Sequence, residues 1–213
     1  MNLLFKEIKL ALHPSMFIYL ALSTMVLIPA YPYHLVFFYT ALGIFNVSMF
    51  GRENSDPLYS VILPVAKRDV VRARIQLAAL CQLAQILVCV LLMPLARRIN
   101  PTGNPVGLDA NLTFLGSGFL LYTVFNFIFF PAFYKTAYKV GVPFILGCVG
   151  IAVYMLAEEG VLLLFPPAAV LDGFAPEHLP ARLLALGIGF AVWLLGLVLT
   201  YKRAAARFEK VDL

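Results

Sequence analysis

The residues best suited to a specific interaction lie in one short polar segment, 51–69, between two long apolar runs. Asp56 can cap the first amides of a helix, Pro57 suits the first helical position, and Pro64 ends the helix after about two turns. Such a helix is about 10 Å long, too short to be stable alone. Its apolar side chains are Leu58, Tyr59, Val61 and Ile62. The segment therefore predicts a docking element that buries these side chains against lipid, the rest of the chain or another protein.

The sequence carries no motif for covalent chemistry. It has no Gly-x-x-x-x-Gly-Lys-[Ser/Thr] loop and no Gly-x-Gly-x-x-Gly pattern, so the usual cradle for nucleotide phosphates is absent. Cys81, Cys89 and Cys148 have no metal-type spacing and are interpreted as small apolar packing residues. We predict that the chain is not an enzyme and binds no cofactor or metal itself.

The composition excludes a water-soluble globular protein. The 213 residues are 62% hydrophobic and only 13% charged, against averages of roughly 45–50% and about 25% in soluble domains. A disordered chain is excluded by the same hydrophobicity. The sequence predicts an all-α integral membrane protein, and its net charge of +5 needs no nucleic-acid partner, since topology and anionic lipid account for it.

Gaps between charged residues predict six membrane spans. The charge-free run 10–51 is about twice the ~20 residues that one helix needs, so it crosses twice and folds back near Pro29–Tyr33. Four later charge-free runs each fit one span, whereas 160–171 is too short to cross and is expected to be re-entrant or interfacial. The predicted divisions of this single transmembrane domain, 1–213, are an interfacial helix 1–13, spans 1 and 2 in 15–51, a cytoplasmic loop 52–69, span 3 in 70–96, an external loop 97–111, span 4 in 112–134, a cytoplasmic loop 135–139, span 5 in 140–157, a re-entrant external segment 158–180, span 6 in 181–201 and a cytoplasmic tail 202–213.

The basic residues predict the orientation. On this division, 13 of the 16 Lys and Arg residues fall on one side of the membrane, and the other side holds only Arg97, Arg98 and Arg182. Because Lys and Arg near the ends of spans are retained on the cytoplasmic side, both termini are predicted to be cytoplasmic.

The first residues predict an amphipathic helix lying in the membrane interface. Its polar face carries Lys6 and Lys9. Its apolar face carries Leu4, Phe5, Ile8, Ala11 and Leu12. The helix is either an entry anchor alone or an element that also contacts a cytoplasmic partner.

The charge-free runs contain no carboxylate, Lys or Arg, and apart from His13, which precedes span 1, their one histidine is His34 at the outer edge of span 2. Ion-coupled carriers place ionisable residues or broken helices near the midplane. The pattern therefore favours energy supplied from outside the bilayer. Polar residues within spans, such as Asn46, either hold helices together or line a conduit.

These features resemble the permease subunits of type-2 ATP-binding-cassette transporters, especially short bacterial permeases related to exporters of phenol-soluble modulin peptides. The resemblance covers the whole chain and is most specific at Leu63-Pro64-Val65-Ala66-Lys67-Arg68, which follows Arg52-Glu53-Asn54-Ser55-Asp56. Ala66 stands where a hydroxyl residue is common, and the short loop 97–111 leaves no room for an extracellular domain.

The resemblance implies a function and several sites. Segment 53–63 would be the coupling helix that enters a groove of a separate ATPase, and residues 2–12 would be the connecting helix. Two cytosolic ATPase subunits would bind ATP-Mg, and a second permease copy, identical or related, would complete the complex. The chain would lie in a bacterial plasma membrane and export an amphipathic peptide or another lipophilic compound. The site residues are Glu53, Asn54, Asp56, Pro57, Leu58, Tyr59, Val61, Ile62 and Leu63 for coupling, Leu4, Phe5, Ile8 and Leu12 for the connecting helix, Phe45, Asn46 and Met49 for a conduit, and Phe165, Pro166 and Pro167 for an outer plug.

Two other classes of function stay open from the residues alone. A channel or uniporter would need polar residues regularly spaced along one helix face, and only Gln82 and Gln85 come near this pattern. A membrane anchor or immunity-type subunit that transports nothing would tolerate loss of the 53–63 helix, whereas a permease would not. The Phe165-Pro166-Pro167 turn is equally compatible with a plain interfacial loop.

Overall fold

The computed structural model describes residues 3–54 and 65–211, and this part of the chain is helical with no β-strand. The predicted all-α membrane fold is confirmed. The α-helices are α1 Leu3–Lys6, α2 Ser15–Ala21, α3 Leu35–Glu53, α4 Lys67–Ile99, α5 Leu112–Phe133, α6 Gly141–Leu164 and α7 Leu179–Phe208. A π-helical turn Glu7–Ala11 follows α1, a 3-10 helix Leu22–Leu27 follows α2, and two short 3-10 helices, Pro166–Leu171 and Pro176–His178, connect α6 to α7.

Five helices of the described residues, α3 to α7, are long and apolar enough to cross a membrane. The region predicted as span 1 contains a shorter apolar helix, Ser15–Leu27, and its crossing of the membrane stays a prediction. Its α-helical and 3-10 parts together rise about 22 Å, less than the ~30 Å hydrocarbon core. The hydroxyls of Ser23 and Thr24 donate to the carbonyls of Leu20 and Ala21, and such local bonds compete with α-helical geometry.

Two helices extend beyond the spans predicted from the charges. Helix α6 continues beyond the predicted span 5, 140–157, to Leu164 and includes Glu158 and Glu159. Helix α4 begins at Lys67, three residues before the predicted span 3, with Ala66 at its N-cap and Asp69 in its first turn. An acidic side chain in this turn interacts favourably with the helix dipole.

Helix α5 lies at the centre of the bundle, and its most extensive contact is with α7. The two backbones approach closely at Gly116 of α5 and at Ala185 and Gly189 of α7. A Cβ atom on Gly116 would lie 2.7 Å from the Ala185 carbonyl oxygen, and one on Gly189 would collide with the Gly116 carbonyl. The small residues that the sequence places four apart in α7 thus form a helix-packing contact, as is common in membranes.

The interior of the bundle is aromatic and contains one group of paired amides. Phe125, Phe129 and Phe133 stack along α5, with ring centroids 5.0 and 6.0 Å apart. Gln82 of α4 and Asn126 of α5 donate to each other at 2.9 and 3.1 Å. The indole N–H of Trp193 in α7 also donates to Gln82, at 2.9 Å. Because all three polar groups are buried and bonded, they fix the register of three helices.

The α5–α7 contact predicts that alanine substitution destabilises the protein at one glycine of α7 and not at another. Gly189→Ala places a methyl group against backbone that cannot move aside, and we expect a loss of about 1–3 kcal/mol of stability. Gly187→Ala is the matched control, because a Cβ there meets nothing within 4 Å. Thermal unfolding of the purified variants in one detergent measures both effects. Equal melting temperatures for the two variants would contradict the packing described here.

Candidate functional site

The N-terminal helix is docked on the bundle by part of its apolar face. Leu4, Ala11 and Leu12 pack on a cluster formed by Met16, Val47, Leu77 and Cys81. Phe5 and Ile8, predicted on the same face, are 63% and 40% exposed. The predicted connecting-helix residues therefore divide into two that hold the bundle, Leu4 and Leu12, and two that face outward.

A buried ion pair fixes this helix to α4. Glu7 Oε2 lies 2.8 Å from Arg74 Nε, and the two side chains are 2% and 8% exposed. Arg74 also donates to the Val47 carbonyl of α3 at 3.3 Å. Neither residue was assigned a role from the sequence. The available signal was an acidic residue on a helix whose other charges are basic.

The C-terminal tail is bound to the first turn of α4. Arg68 forms a salt bridge with Glu209 through two hydrogen bonds. Nε donates to Oε1, and Nη2 donates to Oε2 at 3.0 Å. Hydrogen bonding from Arg68 lowers the pKa of the Glu209 carboxyl. Lys67 donates to the Val211 carbonyl at 2.7 Å. Both ends of the chain therefore meet the first two turns of α4, as expected for termini on one side of the membrane.

The predicted coupling segment begins at the end of α3 and stops just before α4. Glu53 is the last residue of α3, and its Oε1 atom lies 3.9 Å from Nη2 of Arg52. Asn54 is the C-cap of this helix. The remaining predicted coupling residues, Asp56, Pro57, Leu58, Tyr59, Val61, Ile62 and Leu63, lie outside the described residues. Their contact with an ATPase stays a prediction, but the structure defines what flanks them. The N-terminal helix, the C-terminal tail and the end of α3 all lie at the same end of the bundle.

The predicted conduit residues are partly buried side chains of α3. Asn46 donates to the Tyr19 hydroxyl of α2 at 2.6 Å. Phe45 stacks on Phe144 of α6 with centroids 4.2 Å apart. Met49 packs against the main core. Within the single chain these side chains connect α3 to its neighbours, and their lining of a conduit stays a prediction.

The opposite end of the bundle contains a buried polar cluster that the sequence left unassigned. His34 Nε2 lies 2.8 Å from the Ser117 hydroxyl and 3.1 Å from Glu158 Oε2. Ser117 donates to Glu158 at 2.7 Å, and its hydroxyl is 3.1 Å from that of Tyr154. The cluster ties α3, α5 and α6 together. It also provides a partner for Glu158 inside α6, which explains why this helix continues through a charged position.

The cluster corrects one premise of the sequence reasoning. An ionisable pair, His34 and Glu158, does lie within the helical bundle. Glu158 is 17 residues from the start of α6, about 26 Å along a helix that is about 36 Å long. It therefore lies in the half of α6 that adjoins the α6–α7 connection, about 8 Å from the middle of the helix.

The predicted outer plug lies between α6 and α7. Phe165 is 57% exposed and directly follows α6, and Pro166 and Pro167 begin the 3-10 helix Pro166–Leu171. This connection rests on α5, because Asn111 and Thr113 donate to the Leu171 carbonyl. In one chain the Phe165 side chain points away from the core, and its role as a plug stays a prediction.

Comparison with known proteins identifies one family. A family model described as "ABC-2 family transporter protein" matches residues 2–202, nearly the whole chain. No curated protein and no solved structure matched the sequence.

The buried ion pair predicts that the N-terminal helix depends on Glu7. Glu7→Ala leaves the Arg74 charge buried without this carboxylate, and removing one member of a buried pair costs about 3–5 kcal/mol. We expect the backbone of residues 3–12 to exchange hydrogen faster in this variant. Lys9→Ala removes an exposed charge from the same helix and serves as the control. If both variants exchange like the parent chain, the ion pair does not hold the helix.

Proposed function

Because the chain belongs to the ABC-2 family of transporter proteins, we propose that it is the permease of an exporter driven by separate cytosolic ATPase subunits. It is a multi-pass membrane protein. The proposed cargo is an amphipathic peptide or another lipophilic compound. The proposed complex pairs two permease chains, identical or related, with two ATPase subunits in a bacterial plasma membrane. The match over residues 2–202 is the observation that carries this proposal.

The cytoplasmic end of the bundle supports a role in receiving force. Segment 55–64 leads directly into α4, which has 33 residues and is about 50 Å long. The docked N-terminal helix and the C-terminal tail are both fixed to the first two turns of this helix, through Arg74 and Arg68. A displacement of the segment by an ATPase would thus reach a helix long enough to cross the membrane.

The apolar side chains of segment 55–64 provide the main test of the permease function. An ATPase with a nucleotide-binding loop is first identified among proteins that co-purify with the chain, and is then co-expressed with it. Leu58→Asp and Ile62→Asp place charge in the proposed contact. We expect them to reduce ATP hydrolysis by the complex to the rate of the isolated ATPase and to abolish export, while membrane insertion is retained. The control is Lys139→Asp, which introduces aspartate at an exposed position in the loop between α5 and α6. It should change neither ATP hydrolysis nor export.

Retained ATP hydrolysis and transport in both segment variants would refute the coupling role. Failure to recover any ATPase in several mild detergents would favour the channel or anchor interpretations. Ion flux through the chain reconstituted alone would specifically support a channel.

The proposed orientation is tested by cysteine labelling in intact cells. A cysteine at Ser60 should react with a membrane-impermeant maleimide only after lysis, because the proposed orientation has this loop in the cytoplasm. A cysteine at Thr102 should react in intact cells. Thr102 is exposed, whereas Asn104 in the same loop donates to the Tyr31 carbonyl at 3.0 Å. The parent chain is the control, since Cys81, Cys89 and Cys148 lie within helices. The reverse labelling pattern would invert the topology.

A further inference from the structure

A cavity of about 680 Å³ opens at the end of the bundle farthest from the two termini. Its walls are formed by the last turns of α4, the start of α5 and the segment that enters α7. Arg97 in this wall lies 29 residues beyond Arg68 in α4, about 44 Å along the helix. The volume is in the range of small-molecule sites, roughly 300–1,000 Å³.

The cavity is strongly positive. Arg97, Arg98 and Arg182 all line it, and no Asp or Glu does. These are the same three basic residues that the sequence assigns to the side of the membrane where Lys and Arg are scarce. The fold brings all three together, although Arg182 is distant from the other two in sequence.

The charge of Arg182 lacks a carboxylate partner among the described residues. The side chain is only 4% exposed. Its guanidinium donates to the carbonyls of Gly173, Ala175 and His178. Within residues 3–54 and 65–211 none of the three arginines forms an ion pair. Carbonyl dipoles satisfy hydrogen bonds but do not neutralise a buried charge, so an anion in the cavity would be favoured.

The other two arginines are placed to contact such an anion. Arg97 lies over the Phe174 ring at 4.8 Å, a cation–π contact that restrains its guanidinium beside the cavity. Arg98 is exposed, and its guanidinium can donate to a phosphate or carboxylate in the cavity that it lines. The rest of the wall is largely apolar, with Met93, Leu112 and Leu179. Charge together with an apolar wall fits an amphiphile better than a free inorganic ion.

The nearby carboxylates are separated from this cavity. Asp109, Glu159 and Asp172 line a different cavity of about 420 Å³. Asp172 Oδ1 is held by the backbone N–H groups of Asp109 and Gly173, both at 2.9 Å. These three carboxylates line the second cavity, and none of them lines the arginine cavity.

We propose that the arginine cavity binds the phosphate head group of an anionic phospholipid from the leaflet opposite the termini. Arg97 and Arg98 contact the phosphate, Arg182 supplies positive potential from beneath, and the lipid chains lie along the apolar wall. The site is independent of the proposed transport function, since it requires neither an ATPase nor cargo.

Lipid binding by the purified full-length chain tests this proposal. The chain in neutral detergent is titrated with phosphatidylglycerol, and bound lipid is counted by native mass spectrometry. We expect one lipid to bind more tightly than the rest, and phosphatidylcholine of the same chain length to bind more weakly. Arg97→Ala with Arg98→Ala should weaken the tight phosphatidylglycerol binding about tenfold or more, because two charge-assisted contacts are lost.

The control removes equal charge from the opposite end of the bundle. Lys202→Ala with Arg203→Ala should leave the tight site intact, and thermal unfolding checks that both double variants remain folded. Tight binding that survives loss of Arg97 and Arg98 would overturn the proposal. Displacement of the lipid by excess inorganic phosphate would show a free-phosphate site and overturn the assignment to lipid. Failure of ATPase coupling would leave these results unchanged, so the two proposals are tested separately.

Discussion

Close backbone contact between α5 and α7 is the constraint on which the rest of this bundle depends. Inside a bilayer, apolar side chains gain little by exchanging lipid for protein, so helices associate through close packing and hydrogen bonds. Gly116 and Gly189 allow close packing of the two helices. The Gln82–Asn126–Trp193 group provides hydrogen bonds between helices. With α5 held in this way, its phenylalanine stack is enclosed and α6 packs on its other side.

The two ends of the bundle are built for different interactions. At the end that carries the termini, three separate pieces of chain converge on the start of α4, and two of them are fixed there by ion pairs. Exposed pairs such as Arg68–Glu209 stabilise little, whereas the Glu7–Arg74 pair is buried and specific in geometry. This arrangement fixes the start of α4 to both ends of the chain. The other end contains the buried His34–Ser117–Glu158 cluster and two cavities, one lined by arginines and one by carboxylates.

The His34–Glu158 pair explains why α6 continues beyond the charge-free run that predicted span 5. Predicting spans from charge-free runs assumes that every ionisable residue lies outside the membrane. Glu158 violates this assumption because Ser117 and His34, from two other helices, solvate it inside the bundle. Burial of a carboxylate is tolerated where such partners exist. The same reasoning applies to Arg182, whose partners are backbone carbonyls of a neighbouring loop.

Composition and hydrophobic length predict the membrane class and the helical fold from the sequence alone, and local motifs carry the resemblance to the family that the comparison confirms. The tertiary structure establishes which distant residues meet. Arg68 and Glu209 are separated by 141 residues, Glu7 is likewise distant from Arg74, and Arg182 is distant from Arg97 and Arg98. Periodicity reports which face of a helix is apolar, but the partner of a polar residue depends on how the helices pack, and no local pattern encodes that pairing.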